Sequence, residues 1–344
     1  MDQITIKDIA KALGLSNSTV SRALKSSYQI SAATQKLVKD YAEKHHYRPN
    51  VLAQSLKSKK SKSIGVLFPS VANNFFGEVM NGIESIANNC NYQVIISQSH
   101  ESSEQELERL RHLVLRSIDG LLISLSTETL DISYLNSLLE KDFPIVFFDR
   151  VVNQVNTHKV VAANADGAYN ATMHMLQNGY KRIAQITSSA NISITTERLE
   201  GYYKALQKSG ITINPDYVKY CAHGGMKDDE VEHAVQELMA LKEPPDALIT
   251  ASDRLTIKSF AWLKKNGYDI PGQIGLAGFS NFSSPELFQP SLTTIKQPAF
   301  EMGKTAVELL IQQIESKKPT TEFLRKVLPT ELMVRGSTAG KTKK

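Results

Sequence analysis

From residue 64 to residue 277 short apolar runs alternate with longer amphipathic segments, and this alternation constrains the fold more than any other feature. Successive parallel strands need a crossover between them, usually a helix, so such alternation predicts parallel α/β sheets. In a first run, strands are expected at Ile64–Phe68, Gln93–Ser97, Gly120–Ser124 and Ile145–Phe148. Helices Phe75–Asn89, Ser103–Arg116 and one near Ser133–Glu140 lie between them. A second run begins near Val160 with helix Asp166–Gln177, and its strands are Arg182–Thr187, Tyr217–Cys221, Ala247–Thr250 and Ile274–Ala277. Its helices are Thr195–Lys208, Asp228–Leu241 and Arg254–Asn266. Two runs of similar length predict two similar lobes. A ligand of such sheets sits beyond the carboxyl ends of the strands, which with two lobes means the cleft between them.

A different kind of segment precedes the runs. Residues 1–62 hold twelve Lys and Arg against four Asp and Glu, whereas the remainder holds 28 against 31. A basic head on a mildly acidic body suits contact with phosphates, although charge alone also describes a solubilising terminus. The order of residues separates the two. Thr5 with Asp8 forms a capping-box start for helix Ile6–Leu13, and Gly14 can take the positive φ of a tight turn. Ser16 caps a second helix, which turns Val20, Ala23 and Leu24 toward Ile9 and Ala10. Ser31 caps a third, from about Ala32 to His45. Two short helices joined through a glycine turn make a helix-turn-helix, whose second helix can enter the major groove. Its outward positions are Asn17, Ser18, Ser21 and Arg22, short hydrogen-bonders plus an arginine able to grip guanine through two bonds. The bland alternative is an exposed face on a helical hairpin. After Tyr47-Arg48-Pro49-Asn50, the stretch Asn50–Leu56 reads as a two-turn helix too short to be stable alone. A basic linker, Lys57–Lys62, follows it.

On these residues the chain resembles the LacI/GalR family of bacterial transcription regulators. Thr5-Ile6-Lys7-Asp8-Ile9-Ala10, Gly14-Leu15-Ser16, Thr19-Val20-Ser21-Arg22-Ala23-Leu24, Tyr47-Arg48-Pro49-Asn50 and Leu56 sit at that family's spacing, and the resemblance runs to about residue 336. It implies an all-α helix-turn-helix DNA-binding head (residues 1–48) and a hinge helix with linker (49–62). After these comes an α/β periplasmic-binding-protein-like core of two similar Rossmann-like lobes (63–336). Lobe 1 is expected at about 63–160 plus 293–325, lobe 2 at about 161–292 plus 326–336, with a flexible tail at 337–344. Helix Ala299–Ile314 would return to lobe 1, and Lys326–Val334 would rejoin lobe 2.

The resemblance also implies partners. Asn17, Ser18 and Arg22 would read bases, while Ser16, Thr19, Ser21, Ser31 and Thr34 would hold phosphates. Ala53, Leu56 and Lys57 of the hinge would meet the minor groove, with Leu56 as an apolar wedge that kinks the duplex. Such a head requires a homodimer and a palindromic operator of double-stranded DNA. The expected effector is a small molecule, a sugar ahead of a purine or nucleoside, held by Asn73, Phe75, Phe76, Asp149, Arg150, Arg198, Asp253 and Asn281. Read without the family, Asp149 and Asp253 are equally suited to capping a following helix, and Arg198 to a structural ion pair. Two departures bear on the effector. Ser280 stands where many members carry an acidic residue, and Ala163 stands where many have aspartate before Asn164.

Other classes fit less well. Met302-Gly303-Lys304-Thr305 ends like a phosphate-binding loop, but Pro298 occupies the place of its first glycine. Gly336–Thr342 is one residue short of that motif. The eight histidines are scattered, and neither Cys90 nor Cys221 pairs with one at metal-ligand spacing, so no metal or cofactor is expected and no enzyme is read. A secreted sugar-binding protein would have an export signal and no DNA-binding head, and a sugar kinase fused to a helix-turn-helix would turn over ATP. The start has neither a basic nor an apolar leader region, and the cysteines are too few for a disulfide framework, so a cytoplasmic protein is expected.

Overall fold

The computed structural model describes residues 4–47 and 60–340. The chain falls into two compact units, Met1–Ser61 and Lys62–Lys344. In the first, α1 (Ile6–Leu13), α2 (Asn17–Leu24) and α3 (Ala32–Lys44) surround a small core. Thr5 and Asp8 start α1 reciprocally: the Asp8 carboxylate accepts the Thr5 N–H at 2.9 Å, and the Thr5 hydroxyl accepts the Asp8 N–H at 3.4 Å. Gly14 ends it at φ 64°, a conformation costly for any residue with a Cβ. Ile9, Val20, Ala23 and Val38 are wholly buried, which fixes which face of α2 is left outward. The hinge helix and the residues expected in the minor groove, Ala53, Leu56 and Lys57, lie outside the described residues.

The second unit contains two six-stranded sheets. Sheet 1 comprises β1 (Ser63–Phe68), β2 (Gln93–Gln98), β3 (Gly120–Ile123), β4 (Ile145–Phe148), β5 (His158–Ala162) and β11 (Arg325–Leu328), in the order β11-β5-β4-β3-β1-β2 and all parallel. Sheet 2 comprises β6 (Ile183–Thr187), β7 (Val218–Tyr220), β8 (Ala247–Thr250), β9 (Gly275–Phe279), β10 (Thr293–Lys296) and β12 (Glu331–Met333). Its order is β12-β10-β9-β8-β6-β7, with only β12 antiparallel. Helices α4 (Asn74–Ala87), α5 (Ser103–Leu115), α6 (Ser133–Leu139) and α11 (Ala299–Glu315) belong to lobe 1. Helices α7 (Asn164–Gln177), α8 (Ser193–Lys208), α9 (Asp228–Met239) and α10 (Asp253–Lys265) belong to lobe 2.

The expected recrossing is present, at shifted positions. The chain passes between lobes after β5, after β10 and after β11. Thr293–Lys296, expected in lobe 1, is a strand of sheet 2, because its backbone pairs with β9 and β12. Arg325–Leu328, mostly expected in lobe 2, pairs with β5 in sheet 1, and all of β5 belongs there too. The residues expected to start a flexible tail are likewise fixed. Ser337 and Thr338 are wholly buried, and the Ser337 hydroxyl donates to Leu276 O at 2.6 Å while accepting the Thr293 N–H at 2.8 Å.

Gly303, part of the discarded phosphate-loop motif, has a packing role. A Cβ there would lie 2.0 Å from Val79 O on α4, and one at Gly82 would lie 2.0 Å from Phe300 O on α11. Each helix therefore presents a glycine where the other's backbone passes, and the two axes approach closely. Gly303→Ala is expected to force α4 and α11 apart and to destabilise the unit by about 1–3 kcal/mol. Denaturant unfolding checks this, and an unchanged midpoint would mean that the crossing has slack.

Candidate functional sites

On the head, the buried side of α2 leaves Asn17, Ser18 and Arg22 exposed, with Thr19 and Ser21 partly covered. Ser16 closes the start of α2, its hydroxyl accepting the Thr19 N–H at 3.1 Å and lying 2.8 Å from both Ser18 Oγ and Thr19 Oγ1. Ser31 repeats the arrangement on α3, accepting the Thr34 N–H at 3.2 Å, with its hydroxyl 2.9 Å from Thr34 Oγ1. Each helix start thus pairs a partial positive charge with a cluster of hydroxyls, a combination suited to phosphate oxygens.

The effector candidates lie at the carboxyl edges of the two sheets. Asn73 caps α4, its Oδ1 accepting the Phe75 N–H at 2.9 Å. Phe75 and Phe76 belong mainly to the lobe 1 core, where Phe76 stacks on Phe68 with ring centres 5.0 Å apart. After β4, Asp149 holds a left-handed φ of 58°, and its Oδ2 lies 3.9 Å from Arg150 Nε. The Arg150 guanidinium grips Glu101 through two bonds of 2.7 and 3.0 Å and donates to Leu125 O at 3.1 Å. Burial opposes a charge on Glu101, but Arg150 and the Thr127 N–H together hold its carboxyl below the ordinary range. Burial raises the carboxyl of Asp149, against the pull of Arg150 and Arg198.

Lobe 2 contributes Arg198 from α8, wholly buried. Its Nε donates to Asn164 Oδ1 at 2.9 Å, its Nη1 donates to Ala251 O, and its guanidinium lies 3.9 Å over the Phe279 ring. Burial brings its pKa down to about 10, which still leaves it cationic at neutral pH. Asn164 is held in turn by Glu197, its Nδ2 donating to Oε2 at 2.8 Å. Asp253 opens α10, with Oδ1 accepting the Asn281 N–H at 3.0 Å. Its Oδ2 is buried without a hydrogen-bond partner, for Ser280 approaches the carboxyl but makes no bond of normal geometry to that oxygen. Asn281 spans the lobes: its Nδ2 reaches Gln297 O at 2.9 Å and Glu78 Oε2 on α4 at 2.8 Å.

The lobes meet elsewhere as well. The Val151 N–H donates to Ser193 Oγ at 3.1 Å, and Arg325 pairs with Glu197 at 2.7 Å. A Cβ at Gly224 would lie 3.4 Å from Ser188 Oγ and 3.9 Å from Glu101 Oε1, so lobe 1 and lobe 2 groups face each other there. Buried hydroxyls without partners occur along both edges, at Ser99, Ser124 and Thr127 in lobe 1 and at Thr187, Ser188 and Thr195 in lobe 2. Beside them a cavity of about 190 Å³ opens between Arg150, Val151 and Asn153 of one lobe and Ser193 and Thr196 of the other.

Sequence reasoning thus brought Asp149, Arg150, Arg198, Asp253 and Asn281 to one region, whereas Phe75 and Phe76 are largely spent on the core. It missed Glu101 and Asn164. The rule that favoured residues just after strands, applied to β2 and β5 as well, finds both. Among the described residues there is no group of acids, histidines and cysteines that could hold a metal ion. No described helix is long and apolar enough to cross a membrane.

A DNA-reading head joined to a two-lobed ligand-binding unit defines a class of regulator, and comparison with known proteins agrees. Residues 5–50 match the family described as bacterial regulatory proteins, lacI family. Residues 61–331 match periplasmic binding proteins and sugar binding domain of LacI family. The HTH-type transcriptional repressor PurR of Aliivibrio salmonicida is 31% identical, over 91% of this chain and 93% of its own. The HTH-type transcriptional repressor CytR of Escherichia coli K12 is 30% identical, over 97% of this chain and 96% of its own. A LacI family transcriptional regulator from Enterococcus faecium, solved with bound ribose, is 28% identical, with TM-score 0.69, covering 81% of this chain and all of that one. The chain belongs to the LacI family. It is a DNA-binding transcription regulator with an effector-binding domain, and not an enzyme.

Proposed function

We propose that the protein is a cytoplasmic repressor that binds a palindromic operator as a homodimer and is controlled by a sugar between its lobes. The ligand reading rests on one observation, the buried hydroxyls and charged groups without partners at the carboxyl edges of both sheets. A polar group buried without a hydrogen bond costs about 1–3 kcal/mol, so a set of them is retained where a ligand supplies the missing bonds. A sugar carries hydroxyls on every side and can both donate and accept. A nucleobase or nucleoside needs a free flat surface for its ring. Phe75 and Phe76 are largely buried in the core, and Arg198 already covers one face of Phe279. Thermal-shift screening of the full chain against sugars, nucleobases and nucleosides tests the reading, and stabilisation by bases alone would reverse it.

On the operator side, Asn17, Ser18 and Arg22 read bases, and Ser16, Thr19, Ser21, Ser31 and Thr34 hold phosphates. Ala53, Leu56 and Lys57 enter the minor groove. Replacing Arg22 by alanine is expected to weaken binding to a selected operator by about 1–3 kcal/mol and to relax one base position. Binding to random duplex should fall far less. Equal losses on both, by fluorescence anisotropy at fixed salt, would reassign Arg22 to a phosphate.

A further inference from the structure

Charge around the cleft is unevenly balanced. Four carboxylates are buried near it, Glu101, Glu106, Asp149 and Asp253, against two buried guanidinium groups. Arg150 is committed to Glu101 through both Nη atoms, leaving only its Nε buried without a hydrogen bond, and Arg198 is committed to Asn164, Ala251 O and the Phe279 face. Glu106 is satisfied separately by the Ser126 N–H at 2.7 Å and the Ser126 and Thr129 hydroxyls at 2.7 and 2.6 Å. Asp149 and Asp253 are therefore left as surplus acceptors, one from each lobe. Asp253 Oδ2 is buried with no partner, and Asp149 has Arg150 Nε no nearer than 3.9 Å.

We propose that this cleft selects a ligand that donates hydrogen bonds and carries no anionic group, so that unphosphorylated sugars bind and their phosphate esters are rejected by Asp149 and Asp253. The inference rests on the sugar reading above and deepens it. Ligand hydroxyls satisfy both carboxylates without adding charge. A phosphate dianion would lie among four buried carboxylates, with both Nη atoms of Arg150 held by Glu101 and with Nε and Nη1 of Arg198 held by Asn164 and Ala251 O. At about 5 Å in a partly buried site, repulsion of that kind amounts to roughly a hundredfold in affinity. Burial also raises the carboxyls of Asp149 and Asp253, as expected of acids left short of donors.

Two measurements on the full chain decide it. Calorimetric titration pairs D-ribose with ribose 5-phosphate and D-glucose with glucose 6-phosphate, with adenine and adenosine as further probes. The expected result is that any sugar that binds does so at least tenfold more tightly than its ester. An ester that binds as well as its parent sugar overturns the charge inference and leaves the sugar reading standing. Binding of adenine or adenosine in place of both sugars overturns the sugar reading and leaves the charge inference standing. The second measurement needs no ligand: thermal unfolding of Asp253→Asn and Asp149→Asn at pH 7.5. If both carboxylates are surplus, each variant should melt about 2–4 °C above the parent, because an uncompensated charge is removed at constant shape. Unfolding at or below the parent temperature for both variants shows the carboxylates to be structurally satisfied and overturns the proposal, whatever the titrations give.

Discussion

Replacing Glu101 by alanine is expected to destabilise the two-lobed unit by about 3–5 kcal/mol, the range for removing one partner of a buried ion pair. Its carboxylate is bonded twice by the Arg150 guanidinium, and it also accepts the Thr127 N–H at 2.9 Å. Alanine would leave a buried cation and a backbone donor unpaired. Glutamine keeps the shape and one acceptor, so its loss should be intermediate. Denaturant unfolding at neutral pH checks the order, and a loss below about 1 kcal/mol for alanine would mean that water replaces the carboxylate. The pH dependence has a definite sign. Because the folded carboxyl lies below its ordinary value of 4.5, its stabilisation is fully present above that value. It is lost as pH falls from there through the lower folded value, so the gap between parent and Glu101→Gln should narrow in that window.

Replacing Arg198 by alanine should have two consequences of different kinds. Asn164 Oδ1 and Ala251 O lose their donor, and the Phe279 face loses its cover, at a combined cost of about 2–5 kcal/mol. The response of operator binding to a stabilising sugar should disappear as well, removing a coupling of roughly 1–3 kcal/mol between the two sites. The two effects separate by comparison with Glu197→Gln. That change weakens the support of Asn164 and the Arg325 pair but leaves the guanidinium in place. Operator affinity measured with and without the sugar decides the matter. A full response in Arg198→Ala would put the effector elsewhere.

Much of the head was legible because its determinants are local. Thr5, Asp8, Gly14, Ser16 and Ser31 each act within a few residues of themselves, and the structure uses each for the cap or turn expected of it. The strands and helices of the lobes were legible for the same reason. Strand β10 was not, since Thr293-Thr294-Ile295-Lys296 has no apolar run, and its burial depends on neighbours on both sides. The cleft was half legible. The residues after β1, β4 and β8 follow from topology, but the Glu101–Arg150 pair joins positions 49 apart, which no periodicity reveals. Phe75 and Phe76 show the opposite failure: an aromatic pair at a sheet edge fits core and ligand equally, and neighbours such as Phe68 and Phe148 decide.

The three passages between lobes bear on how the protein is made. A ribosome delivers residues in order, yet sheet 1 lacks its edge strand until Arg325–Leu328 has emerged, and sheet 2 lacks its own until Glu331–Met333 follows. Helix α11, which packs against α4 under the glycine crossing, also arrives late. The lobe 1 core takes Ala299, Met302, Ala306, Val307 and Leu310 from α11, so it stays open, with apolar surface exposed, until that helix emerges near the end of elongation. Helices α1 to α3 need nothing from downstream and can assemble as soon as they clear the exit tunnel. A prematurely terminated chain would therefore release a folded DNA-reading head attached to a body prone to aggregate.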